Sequence, residues 1–171
     1  MAILARISPI VELFRPLRKR EHMRIFQSLN SRLVTFLDAT TRDEAIDALI
    51  NLLDKEGRLP DRISFRQAIF HREQLVSTGI GVNVAVPHAK LKSLSDFFIA
   101  IGIQRKNGID WNALDMAPVR IIFMIGGPED QQSDYLQILS QLTSAIKNVE
   151  LRKSLLKATN AQQVLDLFSA F

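Results

Sequence analysis

The sequence predicts an α/β sandwich: a single domain in which a mixed parallel and antiparallel sheet is flanked by helices. Three observations predict it. Short runs of β-branched and aromatic residues alternate along the chain with amphipathic stretches of helical period. Capping boxes and glycines punctuate those stretches where helices should start and stop. The 171 residues, 47% apolar and 23% charged, are enough for one buried core of ordinary soluble composition.

The elements follow in order. Leu33–Leu37 reads as a strand. Thr41 and Glu44 form a capping box, and the helix they open turns Ala45, Ile46, Leu49, Leu52 and Leu53 inward before Gly57 stops it. Ser64 and Gln67 suggest a second box, with a helix running to about Arg72 or Gln74. A glycine loop, Ser77–Gly81, then feeds a short strand, Val84–Val86. Pro87 cannot donate to a ladder, so pairing should end there and deliver His88 at a strand end. Phe97–Ile103 has few polar interruptions and reads as a central strand. Lys106-Asn107-Gly108 is a turn, and Val119–Ile125 is a strand closed by Gly126-Gly127-Pro128. A long helix is expected over Ser133–Lys147, with Leu136, Leu139, Leu142 and Ile146 on one face. A shorter one covers Val149–Lys157, and Asn160 caps a last helix over Ala161–Phe168.

Charge is unevenly distributed. The net charge is +4. Residues 1–24 carry Arg6, Arg15, Arg18, Lys19, Arg20 and Arg24 against Glu12 and Glu21, which leaves the remainder balanced. The basic character thus belongs to an N-terminal arm, residues 1–22, while 23–171 form the domain. Pro9 and Pro16 would interrupt a helix in the arm. It reads as a disordered or loosely docked leader, with a membrane-surface or partner-binding arm as the other reading. Met23 offers a second start site. Nucleic acid is a weak candidate partner, because the basic segment has no interleaved aromatics apart from Phe14. No apolar run is long enough to cross a bilayer. Cysteine is absent, which removes disulfides and zinc–thiolate sites and fits a reducing compartment.

His88 is the residue around which chemistry can be sought. An imidazole held at a strand end can serve as nucleophile, base or ligand. His22, His71 and His88 share no helical ligand spacing, so no metal site is expected. Ser77 does not sit in a nucleophile-elbow pattern, and the glycines match neither a dinucleotide fingerprint nor a Walker loop. The segment does suit an anion. Gly79 and Gly81 let backbone amides approach, Ser77 and Thr78 carry hydroxyl donors, and Arg72 carries a guanidinium fork. That set fits phosphoryl transfer, with His88 as nucleophile and no cofactor. His71 is expected on an exposed helix face, Asp134 at a helix start, and Trp111, Phe97 and Phe98 in the core.

Arg72-Glu73, Ser77-Thr78-Gly79-Ile80-Gly81 and Ala85-Val86-Pro87-His88 together resemble the signature of enzyme IIA domains of the bacterial phosphotransferase system. The resemblance is to the fructose/mannitol type, which includes nitrogen-regulatory IIA proteins, and covers residues 25–171. It implies that His88 accepts a phosphoryl group, through Nε2, from the histidine phosphocarrier protein, with Arg72 stabilising it. It also implies that the group passes to a IIB domain or serves as a signal to regulatory targets. A cytoplasmic location follows from the same resemblance. Two positions depart from the family pattern. Asn83 stands where glycine is usual, and asparagine tolerates a left-handed backbone. Tyr135 stands where a second histidine commonly faces the acceptor. A phenol can hydrogen-bond there but supplies no cation, which suits slower transfer or a signalling role. The expectation is a stand-alone phosphocarrier of regulatory type. The rival is a regulatory binding protein of the same fold with weak or lost phosphotransfer.

Overall fold

The structure, a computed structural model, describes residues 29–169. The basic arm, His22 and Met23 lie outside the described residues. The elements are β1 (Val34–Leu37), α1 (Arg42–Lys55), α2 (Arg62–Leu75), β2 (Gly79–Gly81), β3 (Val84–Ala85), β4 (His88–Leu91), β5 (Phe98–Gln104), β6 (Ile121–Pro128), α3 (Gln132–Ile146), α4 (Val149–Lys157) and α5 (Ala161–Asp166).

The sheet runs β1-β5-β6-β3-β2, and β4 also pairs with β6. β1 is parallel to β5, and β6 is parallel to both β3 and β4; β5–β6 and β2–β3 are antiparallel. The sheet is therefore mixed, as the alternation of elements predicts. Its two faces feed two cores. Ala100, Ile122 and Met124 pack with Ile46, Leu49, Phe65 and Ile69 of α1 and α2. Their neighbours Ile99, Ile101, Ile121 and Phe123 point the other way, to Ile138 and Leu142 of α3 and Leu155 of α4. Helices thus cover both faces, and β5 and β6 are buried at every position.

Local chemistry explains the helix ends. Thr41 Oγ1 accepts from the Glu44 amide at 3.2 Å, and the Glu44 carboxylate returns to the Thr41 amide at 3.3 Å. The second start lies earlier than expected. Asp61, not Ser64, is the cap: its carboxylate accepts the Ser64 amide at 2.9 Å and the Ser64 hydroxyl at 2.6 Å. The buried face of α3 also differs. Tyr135, Ile138, Leu142, Ala145 and Ile146 face inward, whereas Leu136 is 52% exposed. In α1, Ile50 is buried and Leu52 only half-buried.

Three strand expectations need correction. β6 continues through Gly126-Gly127-Pro128, which pair with Ala89, Lys90 and Leu91 of β4, and a Cβ at either glycine would strike the ring of Phe98 or Phe97. Glycine there admits those rings instead of ending the strand. Residues Gly79–Gly81 are a strand, joined to β3 through Val82 and Asn83 at φ 50° and 66°. Both lie in the left-handed region that a tight hairpin of this hand requires. Asn83 suits it and donates from Nδ2 to the Pro118 carbonyl at 2.8 Å. Finally, pairing does not end at Pro87. β3 pairs Val84 with Ile121, and β4 resumes with His88 opposite Ile125, in unchanged register. Pro87 lacks an N–H, but its carbonyl still accepts from the Ile125 amide at 3.0 Å.

Candidate functional site

His88 is the first residue of β4 and is half-buried. Alternation along the broken strand sets its direction. Val86 belongs to the α3-side core, while Ala89 and Leu91 belong to the α1/α2 side. His88 and Lys90 consequently face α3. Tyr135, in the first turn of that helix, lies with its ring centroid 5.6 Å from the imidazole, tilted by 43°.

The two ring nitrogens of His88 have opposite partners. Nδ1 lies 2.8 Å from the Val86 carbonyl oxygen, and Nε2 lies 3.1 Å from Arg72 Nε. A carbonyl only accepts and a guanidinium only donates. The neutral ring therefore keeps its proton on Nδ1 and presents a lone pair on Nε2. Arg72 reaches the imidazole from the last turn of α2 and is steadied by donation from Nη1 to the Val76 carbonyl at 2.8 Å. Burial, then the positive charges of Arg72 and Lys90, hold the imidazole below the usual histidine range; the Val86 carbonyl and the Glu73 carboxylate pull the other way. The ring is thus kept neutral and nucleophilic. Burial pushes the Tyr135 phenol up, so it stays a neutral donor.

The hydroxyls of the Ser77–Gly81 segment are used differently from the expectation. Ser77 donates to the Trp111 carbonyl at 2.6 Å. Thr78, 4% exposed, donates to Glu73 at 2.5 Å and accepts from Trp111 Nε1 at 3.3 Å. The Thr78 amide donates to the other Glu73 oxygen at 2.9 Å. Both hydroxyl protons are committed inside the protein, because a buried carboxylate and a buried carbonyl need donors. The anion at the hairpin tip is likewise the chain's own: Asp115 accepts from the Val82 amide at 2.8 Å, beside Gly81 at φ 89°. The Gly79 amide donates to Ser77 Oγ at 3.1 Å. Ser77, Thr78, Gly79 and Gly81 therefore build and anchor the segment next to the imidazole. Glu73 and Trp111 are the residues that sequence reasoning missed in this role. The Arg72-Glu73 pair was the available signal, with one residue turned to the histidine and its neighbour to the loop.

The remaining expected positions fall as follows. His71 is exposed on α2, Asp134 lies in the first turn of α3, Trp111 and Phe98 are buried, and Phe97, expected in the core, is only half-buried. Among the described residues, no cluster of three or more His, Asp or Glu is placed to hold a metal ion. No described helix is long and apolar enough to cross a membrane.

The site is thus an arginine-bonded histidine, just after a proline, on the mixed sheet of an α/β sandwich. The chain belongs to the family described as "Phosphoenolpyruvate-dependent sugar phosphotransferase system, EIIA 2", which it matches over residues 27–170. It is 35% identical over 129 residues to the "PTS system fructose-specific EIIA component" of Haloferax volcanii, covering 75% of this chain and 83% of that one. It is 34% identical over 148 residues to the "PTS system fructose-specific EIIABC component" of Bacillus subtilis. That match covers 86% of this chain but 23% of the longer relative. Among solved structures, nitrogen regulatory protein IIA-Ntr from Neisseria meningitidis superposes with a TM-score of 0.78 at 26% identity, over 85% of this chain and 99% of that one.

Proposed function

We propose that the protein is a phosphohistidine carrier that accepts a phosphoryl group on Nε2 of His88. The observation that carries this reading is the pair of opposed hydrogen bonds on the ring, which leaves a directed lone pair beside a fixed cation. In the transfer, that lone pair forms the new N–P bond. The N–P bond of the donor phosphohistidine breaks, and its electron pair stays on the donor nitrogen. Nδ1 keeps its proton, and the Val86 carbonyl stabilises the positive character the ring acquires. Arg72, displaced from Nε2, turns its donors to the phosphoryl oxygens. Family membership supports the histidine phosphocarrier protein as donor, with a IIB domain or a regulatory protein as recipient, and a cytoplasmic setting. Residues 1–22 are an appendage to the carrier domain.

Tyr135 favours a second reading, a regulator with weak transfer, because a buried neutral phenol occupies the place opposite the imidazole. One assay decides. The protein is incubated with phosphoenolpyruvate, enzyme I and the phosphocarrier protein, and acid-labile phosphohistidine is measured. Labelling of the wild type and none of His88→Ala is expected. An unlabelled wild type defeats the carrier and leaves the regulator.

A further inference from the structure

We propose that Lys90 is a second cation, besides Arg72, for the phosphoryl group on His88. The inference rests on the carrier reading. His88 and Lys90 are two residues apart on β4, opposite Ile125 and Gly127 of the same neighbouring strand. They share a face, with about 7 Å between their backbones, which a lysine side chain spans. The ammonium is already aimed at the site. It lies 5.1 Å from the centroid of the Tyr135 ring, the same ring that stands 5.6 Å from the imidazole. Tyr135 is thus a neighbour that the two share, and a cation over a phenol face is held there by the ring quadrupole. The other partner of Lys90 is the neutral amide oxygen of Gln132. Among the described residues, neither Lys90 nor Arg72 forms an ion pair with a carboxylate.

Two uncompensated cations flanking a half-buried imidazole make sense for a site that receives an anion. In the resting state they work against protonation of His88. Once a doubly charged phosphoryl group is attached, each finds the partner it lacks. Lys90 exchanges Gln132 for a phosphoryl oxygen, and no atom beyond the transferred group is needed. An arginine would serve similarly, whereas a methionine keeps the stem and removes the charge.

The test compares Lys90→Met and Lys90→Arg with the wild type. The labelling rate is measured at saturating phosphocarrier, so that docking does not limit it, together with the 31P resonance of the isolated phosphoprotein. Lys90→Met is expected to label about 10-fold more slowly with a shifted 31P resonance, and Lys90→Arg to recover most of the rate. Unchanged urea midpoints would accompany both. Wild-type labelling by Lys90→Met with an unmoved resonance overturns the role of Lys90 alone. A wild type that does not label overturns the carrier reading and this inference together.

Discussion

A single imidazole shows how neighbours select one chemistry from several. His88 alone can act as base, nucleophile or ligand. The Val86 carbonyl takes its proton-bearing nitrogen, and Arg72 takes the other, so the lone pair has one direction. Burial, reinforced by Arg72 and Lys90, depresses its pKa, and this carries a consequence for stability. As pH falls through the ordinary histidine value of about 6.5, the unfolded chain binds a proton before the folded one does. Stability is then lost from that point down, and the loss is complete below the folded pKa. The wild type should lose urea resistance as the pH falls below about 6.5, and His88→Gln should lose less. Equal losses would remove His88 as the source. Carboxylates such as Asp47, whose pKa the Arg66 hydrogen bond lowers, act only at more acid pH. The histidine and its arginine were legible in the sequence because their residue types are distinctive. Lys90 was not singled out, although two-residue alternation from His88 already places it on the same face.

At the scale of elements, the β2–β3 hairpin carries local backbone strain. Val82 is β-branched, holds φ at 50°, and is 42% exposed, so little packing offsets its backbone conformation. Val82→Gly should raise stability by about 0.5–1 kcal/mol, read as a higher urea midpoint with an unchanged slope. A lower midpoint would mean that the valine side chain contributes more than its backbone costs. This hairpin was invisible to periodicity: three residues, two of them glycine, carry no alternating pattern. Helices were more legible because their signals are chemical as well as periodic. The Thr41–Glu44 box is present as read. Ser64 was misplaced because Asp61, three residues earlier, is also a capping residue and can accept two bonds from Ser64 at once. The inward face of α3 was assigned to Leu136, Leu139, Leu142 and Ile146, of which Leu142 and Ile146 are buried. Tyr135 instead takes the inward position, beside His88, and leaves Leu136 outside.

Across the whole molecule, two cores meet on one sheet, and β6 contributes alternate residues to both. The alternation of elements made this layering legible, but not which strand lies beside which, since sheet order depends on contacts distant in sequence. The family match begins at residue 27, past the basic arm. A chain lacking residues 1–22 should therefore keep its thermal midpoint and its phosphocarrier-dependent labelling. A drop in either would assign the arm a part in folding or docking. The break at Pro87 has a further consequence, best put as parity. β3 and β4 hold the same register on β6, so the side on which His88 emerges depends on whether the residue count from Val84 is odd or even. One residue inserted between Val84 and His88 would turn the imidazole toward α1 and α2, away from Tyr135, unless the chain bulged at the proline. Two would restore the side. A change of length at Pro87 therefore keeps the imidazole on its side in even steps, and in an odd step only where a bulge absorbs the extra residue.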